Sequence, residues 1–203
     1  MGLTHGQTLW LMGELGLCQG VRPSTFNSYI KSLRKIGIPF ERGKEPRSHR
    51  HVTYDFEELM ELTLALLLRV YNWLPDSVAN GLRSSRDELR PLYRQAYRDS
   101  LRRVYPRAWL SADKDERLPI EGLFLDLNIR YAAGHMIKFG PPRTLSPFEA
   151  MSDYARSPAP SRAYLPLNMS AVAEMIVTGA RAAPIIRRGR TSHSRSGPTG
   201  ANE

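Results

Sequence analysis

Short polar and basic side chains recur along one stretch of the chain, and their types suit contact with nucleic acid. The stretch runs from residue 22 to residue 35 and interleaves them with large apolar residues. Serine, threonine and asparagine exchange hydrogen bonds with base edges, whereas lysine and arginine neutralise phosphates. The candidates for base contacts are Thr25, Asn27, Ser28 and Lys31, and those for phosphate contacts are Arg22, Arg34 and Lys35.

A second group of basic residues follows within the next fifteen positions. It lies within and beside the sequence GKEPRSH, whose glycine and proline are typical of a loop. The flanking stretches Ile38–Arg42 and Arg50–Tyr54 predict short strands, so the simplest interpretation is a β-hairpin with a cationic tip. Such a hairpin can contact phosphates beside a helix that lies in the major groove. Its candidate contacts are Arg42, Lys44, Arg47, His49 and Arg50.

The helices that must position these side chains are marked by apolar spacing and by end signals. Residues 4–17 read as a helix capped by Thr4, and Pro23 suits the first position of the next helix. Gly37 ends that second helix. Its apolar residues follow i, i+3, i+4, i+7 spacing and are Phe26, Tyr29, Ile30 and Leu33. The polar and basic candidates therefore occupy the opposite side.

Further helices are predicted after the hairpin. Asp55 caps a leucine-rich helix to Tyr71 that is apolar almost all round, and Pro75 opens a short helix to about Arg83. A longer helix, with Ser85 and Glu88 as its capping box, reaches about Val104. Arginines recur on it at every fourth position, namely Arg86, Arg90, Arg94, Arg98 and Arg102. This stripe is compatible with phosphate contact, with an acidic partner, and equally with a solvated face.

The order of these elements resembles the DNA-binding domain of MerR-type regulators over about residues 4–83. The resemblance is carried by Gly20-Val21-Arg22-Pro23-Ser24-Thr25-Phe26 with Tyr29, by the basic wing, by Tyr54-Asp55-Phe56-Glu57-Glu58-Leu59, and by the leucine-rich and proline-led helices. It implies a winged helix-turn-helix that binds double-stranded DNA. The family often has an arginine where this chain has Asn27. Metal sensing in that family uses a cluster of cysteines, and this chain has only one cysteine, Cys18, so metal sensing of that kind is not expected.

The remaining sequence predicts a mixed C-terminal region. Residues 123–131 alternate as in a strand, with a helix as the alternative. Ser146-Pro147-Phe148-Glu149 is a helix start, and Ser170 is expected to cap a helix to about Ala183. From residue 187 the composition is that of a disordered basic tail.

The predicted fold class is mainly α, with an N-terminal winged helix-turn-helix and a small β-hairpin wing. The expected domains are a DNA-binding domain (1–83), an Arg-rich helical connector (84–110), a region for dimerisation, partner or ligand contact (111–186) and the tail (187–203). A homodimer is expected because one short recognition helix reads few base pairs.

Composition limits the classes of function. The chain has 29 Lys+Arg and 20 Asp+Glu, a net charge of +9, which favours nucleic acid as the partner. A single cysteine favours a reduced, cytoplasmic setting, here nucleoid-associated. The histidines are scattered and phosphate-loop and nucleophile-elbow motifs are missing, so we expect no enzyme, metal or cofactor. The apolar stretch 59–70 is too short to span a bilayer, so no membrane partner is expected.

The leading hypothesis is therefore sequence-specific binding of duplex DNA in transcription regulation, with RNA polymerase or another protein as a further candidate partner. One alternative is an architectural or excisionase-like recombination accessory factor that bends DNA. Another is a protein-interaction adaptor that acts through residues 84–186.

Overall fold

The computed structural model describes residues 1–18, 20–40, 52–70, 75–104, 124–126, 129–132, 136–139, 143–156, 162–163 and 167–185, which form a mainly helical protein as predicted. The helices are α1 (His5–Glu14), α2 (Pro23–Lys35), α3 (Phe56–Val70), α4 (Pro75–Ser84), α5 (Arg86–Val104), α6 (Pro147–Arg156) and α7 (Met169–Ala182). The strands are β1 (Leu3–Thr4), β2 (Thr53–Tyr54), β3 (Phe124–Asp126), β4 (Ile129–Ala132), β5 (Met136–Phe139), β6 (Arg143–Leu145), β7 (Arg162–Ala163) and β8 (Leu167–Asn168).

The first two helices begin at the signals that the sequence predicts, and α2 also ends as predicted, whereas α1 ends at Glu14, three residues before the predicted residue 17. Thr4 and Gln7 cap α1 reciprocally, since the Gln7 N–H donates to Thr4 Oγ1 at 3.4 Å and the Thr4 N–H donates to Gln7 Oε1 at 3.0 Å. Pro23 is the first residue of α2, where a backbone N–H has no partner within the helix anyway. Gly37 follows the end of α2 at φ +91°, the left-handed conformation that commonly ends helices.

Helix α3 is buried on several sides, as its composition predicts. Leu59, Leu62, Leu64 and Leu68 have no exposed surface. Asp55 caps the helix as predicted: its Oδ1 accepts from the Glu58 N–H at 2.8 Å, and its own N–H donates to Glu58 Oε2 at 2.7 Å. Helix α3 thus begins at an exposed polar cap, and the leucines that follow are buried in the core.

The predicted strand over Ile38–Arg42 is wrong for the part that the structure describes. Ile38, Pro39 and Phe40 are successive buried residues and form no strand, because proline lacks the N–H that a ladder needs and the burial of three residues in a row does not fit strand alternation. Strand β2 pairs instead with β1, antiparallel, with Leu3 opposite Tyr54. Residues 41–51, which would complete the hairpin, lie outside the described residues.

The C-terminal region combines short strands with two helices. Strand β3 pairs antiparallel with β6 and β8, and β4 with β5 and β7, so the alternating stretch 123–131 supplies strands to two sheets. The predicted start of α6 is confirmed, since the Ser146 N–H donates to Glu149 Oε2 at 2.8 Å. The Ser170 cap is wrong, because Asn168 caps α7 and accepts from the Ala171 N–H at 3.0 Å, while Ser170 is buried inside the helix.

One hydrophobic core joins the first and last of the described helices. Its buried side chains come from α1, α2, α3, α4, α5 and α7. Helix α7 packs along α5 and also contacts α1 and α3, with Met169, Ala173, Ile176 and Val177 buried. The core therefore extends across the boundary expected at residue 83, while the predicted tail (187–203) lies outside the described residues.

Candidate nucleic-acid interface

Helix α2 presents serine and lysine side chains to solvent along one stripe. The exposed positions are Ser24, Ser28, Lys31, Ser32 and Lys35. The opposite side is closed by Phe26, Ile30 and Leu33, which are buried. At 3.6 residues per turn the exposed positions fall on a single face. The structure thus brings together three of the candidates chosen from the sequence, Ser28, Lys31 and Lys35.

The serine hydroxyls on this face are oriented by the helix itself. Ser28 Oγ donates to the Ser24 carbonyl at 3.0 Å, and Ser32 Oγ donates to the Ser28 carbonyl at 3.0 Å. A hydroxyl oxygen keeps lone pairs after donating its hydrogen. Both serines therefore present acceptors to a partner, which suits amino groups on base edges.

Asn27 lies at one edge of the exposed face and contacts α1. Its Oδ1 is 2.9 Å from His5 Nε2, and His5 Nδ1 is 3.1 Å from the Tyr54 hydroxyl. The three side chains join α2, α1 and β2. Asn27 is half-buried, so it differs from the exposed candidates Ser28 and Lys31.

The opposite edge of the face carries Thr25 and Tyr29. Thr25 is half-buried, and Arg22 before the helix is exposed. The Arg69 guanidinium, from the last turn of α3, lies 3.3 Å from the centre of the Tyr29 ring. This cation–π contact fixes the edge of α2 against α3.

Arg34 lies on the same edge as Asn27, and part of its guanidinium is buried. Its Nε is enclosed and has no hydrogen-bond partner among the described atoms, and its Cζ lies 5.6 Å from the centre of the Phe40 ring. Burial raises the pKa of Tyr54 to about 12, with the nearby Arg34 charge opposing the increase. Arg34 therefore acts in part as a packing residue, unlike the exposed Lys35.

The wing candidates Arg42, Lys44, Arg47, His49 and Arg50 lie outside the described residues. The described residues on either side of them belong to the hydrophobic core. Phe40 and Val52 are both buried, and Tyr54 has no exposed surface. Both ends of the segment thus start from the core beneath α2.

The arginine stripe of α5 contacts acidic residues of α3 over half its length. Arg94 Nε lies 2.6 Å from Glu57 Oε1, and Arg90 Nε lies 3.7 Å from Glu57 Oε2. Glu61, one turn further along α3, binds Arg86. Because Arg90 and Arg94 hold α5 to α3, their reversal would disturb the fold as well as any partner contact.

Arg86 also holds the end of the candidate reading helix. Its Nε donates to Glu61 Oε2 at 2.9 Å, and its Nη2 donates to Glu61 Oε1 and, at 2.6 Å, to the carbonyl of Gly37. Arg86 and Glu61 are 7% and 3% exposed. A buried ion pair of α3 and α5 thus fixes the turn that follows α2.

Sequence reasoning missed His5, Arg69 and Glu61 as residues that position α2. In the sequence, His5 is one of five scattered histidines and no spacing links it to Asn27. For the ion pairs a signal was present, because Glu57 and Glu61 repeat at the same four-residue interval as the arginines. Helix periodicity alone does not say which helices pack together. The shared spacing of the glutamates and arginines therefore does not identify the ion pairs without the fold.

The described residues contain neither a group that could hold a metal ion nor a helix that could span a membrane. No group of three or more His, Cys, Asp or Glu side chains is placed there to hold a metal ion. Burial raises the pKa of the Cys18 thiol, which makes it a poor nucleophile. Within the same residues, every helix is too short or too polar to cross a membrane.

Comparison with protein-family models, curated proteins and solved structures finds no match to this chain.

Proposed function

We propose that the protein binds double-stranded DNA at specific sequences through α2 and regulates transcription. The observation that carries the proposal is the exposed face of α2, where serines and lysines form a stripe opposite a fully buried apolar side. The net charge of +9 supports an anionic partner. So does the resemblance of residues 4–83 to MerR-type regulators.

The dimensions of α2 suit the major groove. The groove is about 12 Å wide and admits one helix, and the 13 residues of α2 span about 20 Å. Ser28 and Asn27 reach base edges in this arrangement, and Thr25 does so from the other edge. Lys31 contacts bases or phosphates, and Arg22 and Lys35 bind phosphates at the two ends of the helix.

The contacts behind α2 support a reading role because they fix its position. Arg86 holds the Gly37 carbonyl, Arg69 stacks on Tyr29, and His5 bonds Asn27. A binding surface needs side chains and backbone that are already ordered before the partner arrives. The wing arginines would add contacts to neighbouring phosphates, and a homodimer would extend the short site to two halves.

Selection from a randomised duplex library with the purified full chain tests this proposal. We expect enrichment of a shared motif. The Lys31→Ala and Lys35→Ala variants should each weaken binding to it, and a lost phosphate contact should reduce the slope of log affinity against log salt by about 0.9.

Arg98→Ala is the matched control, because it removes one exposed positive charge from α5 instead of α2. It should leave both affinity and salt slope nearly unchanged. Equal losses for all three variants would show that net charge, not α2, determines binding. A library that returns no shared motif would contradict the proposed function.

A further inference from the structure

We propose that His5 determines which base Asn27 reads, by holding the Asn27 amide in one orientation. The inference rests on the proposed DNA-binding function and concerns one side chain of α2. Asn27 is half-buried at the edge of the exposed face, one turn before Lys31. His5 reaches it from the first turn of α1.

Contacts at both ring nitrogens fix the His5 imidazole. Nε2 lies 2.9 Å from Asn27 Oδ1, and Nδ1 lies 3.1 Å from the Tyr54 hydroxyl. Because an amide oxygen can only accept, Nε2 carries the hydrogen, and in the neutral imidazole Nδ1 then accepts from the phenol. The Tyr54 side chain has no exposed surface, so this donor is itself held in place.

The contact determines which part of the amide faces outward. A free asparagine pairs with adenine through two bonds, accepting from N6 at Oδ1 and donating to N7 from Nδ2. Here Oδ1 is directed at α1 and already accepts from His5. The Nδ2 amino group is therefore the part that Asn27 offers to a base, and an amino group selects acceptors. Guanine offers two in the major groove, N7 and O6, whereas thymine offers only O4 and adenine offers only N7, beside its own N6 donor.

The test compares motifs selected from a randomised duplex library by the full-length wild type, His5→Ala and Asn27→Ala. We expect guanine at one position in the wild-type motif and no preference there for Asn27→Ala. His5→Ala frees the amide to turn, so it should raise the adenine-to-guanine ratio at that position about five-fold or more. The rest of the motif should not change, whereas simple loss of structure would weaken every position together.

Two results would overturn the inference while leaving the proposed function intact. One is a His5→Ala motif identical to that of the wild type. The other is adenine at the Asn27-dependent position of the wild type. A wild-type chain that selects no motif at all would instead contradict the proposed function, and the inference with it.

Asn27→Asp keeps the inference testable if His5→Ala fails to fold, as judged by circular dichroism. The carboxylate retains an oxygen for His5 and replaces the outward amino group with an acceptor. The preferred base should then change from guanine to cytosine, whose N4 amino group donates. Retention of guanine by this variant would also overturn the inference.

Discussion

Glu61 and Arg86 show how a few polar atoms determine the position of a helix to which neither belongs. Both side chains are almost fully buried, and their charges are compensated by each other and by the Gly37 carbonyl. Taking two charges out of water is unfavourable, so the attraction between them mainly offsets that cost. Loss of one partner is different, because the remaining charge stays buried and loses the attraction that offset its desolvation.

We expect Arg86→Met to reduce the free energy of unfolding by about 3–5 kcal/mol, because Glu61 would remain buried after losing its Arg86 counterion. Urea denaturation of the two proteins measures the difference. Arg94→Met, which breaks the exposed pair with Glu57, is the control and should lose much less. Similar losses for both variants would contradict this account.

Titration of the Glu58 carboxyl should make the stability of the protein depend on pH. Burial raises the pKa of its carboxyl to about 7, and the neighbouring Asp55 and Glu61 charges add to the increase. The folded state then binds a proton that the unfolded state releases near pH 4.5. Stability from this group is full below pH 4.5 and is lost as the pH rises to about 7.

We therefore expect the difference in melting temperature between Glu58→Gln and the wild type to shift in favour of the variant as the pH rises from 4.5 to 7. Glutamine cannot ionise, and its carbonyl oxygen can still accept from the Asp55 N–H that caps α3. Thermal melts across this pH range measure the gain. Melting temperatures that differ by a constant amount at every pH would show that the Glu58 carboxyl does not titrate there.

At the scale of elements, the end of α2 depends on one glycine. Gly37 has φ +91°, and a Cβ there would lie 3.3 Å from Arg83 Nε and 3.4 Å from Arg83 Cδ. An L-residue in this conformation is strained by about 1–2 kcal/mol. The turn that Arg86 binds can therefore form easily only with glycine.

Gly37→Ala should lower the free energy of unfolding by about 1–2 kcal/mol, as measured by chemical denaturation. Gly2→Ala is a suitable control, since Gly2 has no atom within 4 Å of the added methyl and no positive φ. The strain at Gly37 would be disproved if the two substitutions had equal effects.

The accuracy of sequence prediction differs between elements for a physical reason. The starts of α1, α3 and α6 were predictable because Thr4–Gln7, Asp55–Glu58 and Ser146–Glu149 interact within one turn. The partner of β2 was not, since Leu3 and Tyr54 are far apart in the chain. The exposed face of α2 followed from periodicity, whereas the His5–Asn27 and Arg69–Tyr29 contacts depend on how α1 and α3 pack against it.

At the scale of the whole molecule, α7 meets α1 where a leucine side chain of α1 packs against a glycine of α7. Gly179 lies against Leu11, and a Cβ at Gly179 would overlap the Leu11 Cδ1 methyl. Leu11 has no exposed surface, so it has little room to move. The contact between α1 and α7 therefore requires a residue without a side chain at position 179.

Gly179→Ala and Gly13→Ala form a matched pair, because both glycines are in helices. Alanine normally favours a helix by about 1 kcal/mol, and at Gly13 the new methyl would meet only Cys18 Sγ at 3.5 Å. We expect Gly13→Ala to be neutral or stabilising. Gly179→Ala should destabilise by about 1–3 kcal/mol, as measured by urea denaturation. Stabilisation by both would contradict the tight contact.

The place of α7 in the core has a consequence for the order in which the protein can fold during synthesis. Helix α7 is made about a hundred residues after α3, and ribosomes add about 5–20 residues per second. For roughly 5–20 s, then, a growing chain carries the N-terminal helices without the segment that covers them. During that interval the apolar faces of α1, α3 and α5 that α7 covers in the folded protein have no partner helix on that side.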